Sequence, residues 1–211
     1  MTFIKNELSL EMQEQSAPAF YPPNSLDLKQ DHGSGLFSYF NKPVTNTSPA
    51  LIMSPKMAYL NITSTKNETV TRVLRSIASP ESARNYKARN FNYSCFSGTF
   101  TSRGDKNLIK HSGFITLDFD HIKHPGTLED ELIVDKNFET VITFISPSGD
   151  GLKWIVKIDM AKHSHLEWFR CLEYYVNTKY GFKVDKSGKD ISRCCFLPFD
   201  PQAYINPKYL L

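Results

Sequence analysis

Strict alternation of apolar and polar positions marks two strands in the middle of the chain. In Phe114 to Asp120, Ile115, Leu117 and Phe119 alternate with Thr116, Asp118 and Asp120, the two-residue period of a half-buried strand. Leu152 to Ile158 repeats it, with Leu152, Trp154, Val156 and Ile158 on a core face and Lys153, Ile155 and Lys157 on the other. Between them, Val141 to Ile145 is a nearly continuous apolar run of strand length. Leu36 to Phe40 reads as an edge strand, and Cys194 to Phe199 as a last strand closed by Pro198 and Pro201. Helical spacing appears in Thr69 to Ile77, through Val70, Val73, Leu74 and Ile77. Ser79-Pro80 starts a short helix to about Lys87, and Thr127 to Asn137 is a third, with Thr127 as N-cap and Asp130 completing a capping box. The longest helix runs from Ala161 to Tyr180, with a stripe of Leu166, Phe169, Leu172 and Val176 and Gly181 as its stop. Strands and helices mix without a βαβ rhythm. The pattern predicts an α+β domain with a largely antiparallel sheet flanked by helices.

Domain organisation follows from composition. Gln13 to Gly35 is rich in Pro, Ser, Gln and Gly, so residues 1–35 read as a poorly ordered tail and 36–211 as one folded domain. No apolar run is long enough to span a bilayer, and Met1 to Met12 lacks the apolar core of a signal peptide, so no membrane partner is expected. The four cysteines, Cys95, Cys171, Cys194 and Cys195, have no metal-ligand spacing and read as reduced thiols of a cytoplasmic protein. A net charge of +3 permits a nucleic-acid partner without arguing for one.

Three segments carry candidate chemistry. Asp118 and Asp120 share a strand face roughly 7 Å apart. Two carboxylates so placed repel unless a cation lies between them, and a hard divalent ion is the natural one. A bare Asp-x-Asp also suits a solvated strand end, nucleotide-sugar transferases or aspartyl phosphatases. His121 and His124 follow at once and read as a surface loop, while His32, His111, His163 and His165 read as solvated. The turn Ser146-Pro147-Ser148-Gly149-Asp150-Gly151, followed by Lys153, offers hydroxyls, close backbone approach and a cation, as a phosphate site would. It is no Walker loop. Last, Val184 to Arg193 packs Asp185, Asp190 and Arg193 into one short stretch; alone, it reads as a charged surface turn.

The order of these segments is more specific than any one of them. Asp118-Phe119-Asp120, then SPSGDGLKW, a helix, VDKSGKDISR and CCFLPFDP, resembles the VirE-type N-terminal domain of Bacteroidetes mobile elements, a branch of the primase-polymerase superfamily. Upstream, Phe37 to Phe40, Tyr86-Lys87-Ala88-Arg89, Phe96 to Phe100 and His111-Ser112-Gly113 fit too, so the resemblance covers about residues 36–207. It implies a metal-dependent nucleotidyltransferase acting in DNA replication of a mobile element, with nucleoside triphosphates and a single-stranded DNA template as partners and a helicase domain or protein beside it. Asp118, Asp120 and Asp185 would hold Mg²⁺ or Mn²⁺, with Asp190 competing for the third place. Ser146, Ser148, Gly149, Gly151, Lys153 and Arg193 would bind the nucleotide. The family commonly has His where this chain has Lys153. A non-catalytic nucleotide or single-stranded nucleic-acid binding module of the same fold is the alternative.

Overall fold

A computed structural model describes residues 35–211, so the tail expected over residues 1–35 lies, but for Gly35, outside the described residues. In chain order these form β1 (Phe37–Phe40), β2 (Leu51–Met53), α1 (Pro55–Thr63), α2 (Glu68–Ser76), α3 (Pro80–Asn90), β3 (Tyr93–Cys95), β4 (Gly98–Phe100) and β5 (Leu108–His111). There follow β6 (Phe114–Phe119), α4 (Pro125–Ile133), β7 (Thr140–Ile145), β8 (Leu152–Lys157), α5 (His165–Tyr180), β9 (Cys195–Phe196) and β10 (Tyr204–Ile205). The fold is α+β. Its strands make two four-stranded sheets, ordered β2-β1-β3-β9 and β10-β7-β8-β6, and a β4-β5 hairpin, with antiparallel pairing throughout. The one sheet expected is thus divided into two four-stranded sheets and a hairpin. β2, β3, β9 and β10 are two or three residues long, too short for a period to show.

The second sheet is covered on both sides. Ile115, Leu117 and Phe119 of β6 and Leu152, Trp154 and Val156 of β8 pack on Leu128 and Leu132 of α4 and Phe169, Leu172 and Val176 of α5. The opposite face, with Phe114, Phe144 and Ile155, packs on Phe37 and Tyr39 of β1, Cys195 of β9, and Ala58 and Ile62 of α1. All six residues of β6 are buried, so the half-buried strand expected from alternation is corrected. Alternation marked the helix-facing side; the polar side is covered by another sheet, not by water.

Helix boundaries follow their caps. Ser79 caps α3 as expected, accepting from Ser82 N. α5 starts at His165, four residues later than expected, because Ser164 and Glu167 form a capping box; it stops at Gly181 in the left-handed conformation (φ 73°). Its buried stripe is His165, Phe169, Leu172 and Val176, whereas Leu166 is exposed. Each of those apolar side chains contributes about 1.5–3 kcal/mol by burial. α4 covers Pro125–Ile133, with Thr127 inside it and no side-chain cap. α2 buries Thr71 and Leu74, leaving Val73 exposed. The strand expected over Cys194 to Phe199 shortens to Cys195–Phe196, and it is not the last, since β10 follows it.

Trp154, fully buried at the centre of β8, donates its indole N–H to Thr140 Oγ1 at 2.8 Å, and that hydroxyl donates to Leu132 O at 2.7 Å. One hydroxyl therefore ties strand, strand and helix together. Thr140→Val keeps the shape but removes both bonds. It should destabilise the fold by about 1–3 kcal/mol, the cost of a buried donor without an acceptor. Urea unfolding checks this; an unchanged midpoint would show that the indole finds another partner.

Candidate functional site

The end of β6 brings two carboxylates to one face, and a loop after α5 brings a third. Asp118 is the fifth residue of β6, and Asp120 follows its end. Asp185 docks beside them by donating its backbone N–H to Asp118 O at 2.9 Å. It also caps the tight turn Lys186–Lys189, accepting from Ser187 N at 2.9 Å and from Ser187 Oγ at 2.6 Å. One carboxylate oxygen from each of Asp118, Asp120 and Asp185 lies within 4.8 Å of the other two. Between the two acidic residues of this loop, the geometry thus brings Asp185 to the pair, while Asp190 lines the neighbouring cleft.

Two cations brace this acidic group. Lys153 lies opposite Asp118 in the β6–β8 register, and its ammonium pairs with Asp118 Oδ2. Arg193 Nη2 stands 2.7 Å from Asp185 Oδ2 and 3.6 Å from Asp118 Oδ2. Asp118 is only 6% exposed and Lys153 only 9%, although alternation put both on the face away from the core. The cause is the first sheet, which covers this face of β6 and β8. Lys153 does share the face of Asp118, as the alternation required. Asp118 Oδ1 is buried without a hydrogen-bond partner among the described residues. Burial, then the charge of Asp118, pushes the Asp120 carboxyl up. Burial acts likewise on Asp185, but its bonds from Ser187 and the charge of Arg193 outweigh it and hold that carboxyl down. A partnerless buried oxygen and three all-oxygen donors, one crowded by its neighbour, fit a hard divalent cation.

Beside the carboxylates opens a cleft of about 470 Å³, whose walls include Lys87, Arg103, Ser146, Ser148, Lys153 and Arg193. The Ser146–Gly151 turn reaches it through the serines. Its glycines shape the turn from behind: a Cβ on Gly151 would fall 2.4 Å from Phe119 O, and Gly149 has a φ of 88° with Arg75 against it. Arg75 of α2 donates to Pro147 O and Ser146 O at 3.2 and 3.3 Å, holding the turn in place. His121 and His124 are exposed after β6, and His121 meets Asp150 at 2.7 Å. Lys87 and Arg103 were not singled out as site residues. Lys87 carries a sequence signal, since it lies in the Tyr86-Lys87-Ala88-Arg89 stretch that shares the family resemblance; Arg103 sits in a polar turn with none.

Behind the Asp185 loop lies a histidine pair, not the solvated residues expected. His165 is 3% exposed. Gly113 N donates to His111 Nδ1 at 3.0 Å, so the proton of neutral His111 sits on Nε2. That N–H donates to His165 Nδ1 at 3.1 Å, and His165 Nε2–H then donates to Gly188 O at 3.2 Å. The chain of bonds runs one way and needs both rings neutral. Gly188 itself has no room for a side chain, since a Cβ would meet Thr116 O at 2.9 Å and Phe169 at 2.8 Å.

Residues 86–205, more than half of the chain, match the family model described as BT4734-like, N-terminal domain. No curated protein and no solved structure matches the chain. No helix among the described residues is long and apolar enough to cross a membrane.

Two outcomes follow from the charges. Lys153→Met strands a buried carboxylate and should cost about 3–5 kcal/mol, whereas adding Asp118→Asn should return most of that loss. A double-mutant cycle in urea measures it, and strict additivity would mean that the two groups do not interact. Acidification should also weaken the fold. Burial, then the nearby His165, lowers the pKa of His111 from 6.5 to about 4. The folded value lies below the unfolded one, so this contribution is complete above about pH 6.5 and fades as pH falls towards 4. Thermal melts across that window should show the decline, and His111→Gln should flatten it.

Proposed function

The chain belongs to the BT4734-like N-terminal domain family, and from that premise we propose that it is a metal-dependent nucleotidyltransferase of the primase-polymerase kind. Its substrates are nucleoside triphosphates and a single-stranded DNA template, its setting is the replication of a mobile element, and a helicase domain or protein works with it. One observation carries this reading. Three carboxylates from two segments far apart in sequence converge on one point, and a buried Asp118 oxygen there has no hydrogen-bond partner among the described residues.

Asp118, Asp120 and Asp185 would hold the ions, Mg²⁺ or Mn²⁺. When bound there, a divalent ion supplies Lewis acidity for attack by a 3′ hydroxyl and for departure of pyrophosphate. Lys153 and Arg193 fix the carboxylates in place and keep donors free toward the cleft, because an ammonium has three N–H groups and a guanidinium five. Ser146 and Ser148 present polar groups to the same cleft. A second reading, a nucleotide or single-stranded nucleic-acid binding module without catalysis, is favoured by the ammonium of Lys153 seated on Asp118.

Primer synthesis and extension on single-stranded DNA, with dNTPs or NTPs and Mn²⁺, separates the two. The enzyme should make product; ligand binding without product would support the second reading. Asp120→Asn should abolish both product and Mn²⁺ binding, and it should raise the melting temperature of the chain without added metal. The raised folded pKa of Asp120 means that its charge costs stability at neutral pH, so a neutral isostere relieves the cost. A variant that still binds Mn²⁺ like the wild type would remove the triad from the metal role.

A further inference from the structure

Four cations line the cleft, and they fall into two pairs. Lys153 and Arg193 are ion-paired with the carboxylates. Lys87 and Arg103 line the same cleft, yet among the described residues neither has a carboxylate within ion-pair distance. Both are half-buried. Each rests on an aromatic face: Lys87 Nζ is 5.9 Å from the centre of the Phe196 ring, and Arg103 Cζ is 5.2 Å from that of Tyr93. Arg103 is fixed further by its backbone N–H, which donates to Thr47 O at 2.8 Å.

We propose that Lys87 and Arg103 form the anion subsite of the cleft and grip the polyphosphate of a nucleoside triphosphate. The inference deepens the nucleotidyl-transfer reading and rests on it. Charge accounting gives the reason. The positive charges of Lys153 and Arg193 are cancelled locally by Asp118 and Asp185. Asp120 and Asp190 also line the cleft but pair with neither Lys87 nor Arg103, and a divalent cation on the acidic triad would offset Asp120. An arriving anion therefore meets its net attraction at Lys87 and Arg103. Partial burial sharpens this, because a half-desolvated cation lacks both water and a counter-ion. Burial and then the like charge of Lys153 push the Lys87 ammonium down, a penalty that a bound phosphate would relieve. The cleft's volume of about 470 Å³ falls within the range of small-molecule sites. A cation held by Asp118, Asp120 and Asp185 would supply further positive charge beside this subsite, as nucleotide sites combine metal and basic side chains.

The test uses the full chain with Mn²⁺, a fluorescent dATP, inorganic tripolyphosphate and a single-stranded oligonucleotide. Lys87→Met keeps the alkyl stem over Phe196 and removes the charge. It and Arg103→Gln should each weaken dATP binding about tenfold or more, the worth of a charge-assisted hydrogen bond. Mn²⁺ binding, read by electron paramagnetic resonance, should stay unchanged, and Lys87→Arg should restore most of the affinity. Independently of any variant, tripolyphosphate should displace dATP from the wild type. Failure of that competition, or variants that bind dATP normally, would overturn the subsite while leaving the metal centre standing. Variants that lose only oligonucleotide binding would also overturn it, by moving both cations to the template. A wild type that binds tripolyphosphate through Lys87 but takes up no Mn²⁺ would support the subsite and sink the nucleotidyl-transfer reading.

Discussion

The cross-strand pair of Asp118 and Lys153 is the constraint around which the rest of the structure is arranged. Both groups sit between two sheets, where an unpaired charge would cost several kcal/mol, so neither is tolerable without the other. The β6–β8 register sets them opposite each other, and a slip of one residue would turn one of them toward the helices and leave the other charge unpaired. Everything else in the site refers to this pair. Asp120 follows it along the strand, Asp185 hydrogen-bonds to the backbone of Asp118, and Arg193 spans Asp118 and Asp185.

Side chains with a strong local period were legible in the sequence, and so was the site's acidic core. Ile115, Leu117 and Phe119 share a face with Leu152, Trp154 and Val156 because alternation in paired strands leaves one outcome. Asp118 and Asp120 followed from the same rule. Asp185 did not: the order of motifs pointed to it, and the apolar Val184 before it was the one local feature that set it apart from Asp190. What brings it in is a backbone bond to β6, a glycine pressed on Thr116 O, and a buried histidine, all long-range.

The misread residues share one physical cause. Asp118, Lys153, His111 and His165 are polar, and polarity was equated with water. Asp118, Lys153 and His165 are buried and His111 half-buried because each meets a partner there: carboxylate with ammonium, imidazole with imidazole. Partners on other strands and helices leave no trace in a local window. The same holds for the paired sheets, whose short strands β2, β3 and β10 leave no period in a local window.

β6 is an edge strand of its sheet, six residues long, with Ile115, Leu117 and Phe119 on it. A long apolar edge is a template for pairing with another chain. Here the loop that delivers Asp185 runs along that edge, donating to Asp118 O and pressing Gly188 on Thr116 O. One loop thus completes a charged cluster and shields a sticky border. Any change that frees this loop, whether in Gly188, His165 or His111, carries a second penalty beyond the site itself: it bares a strand able to recruit its like, and solubility becomes hostage to the geometry of three carboxylates.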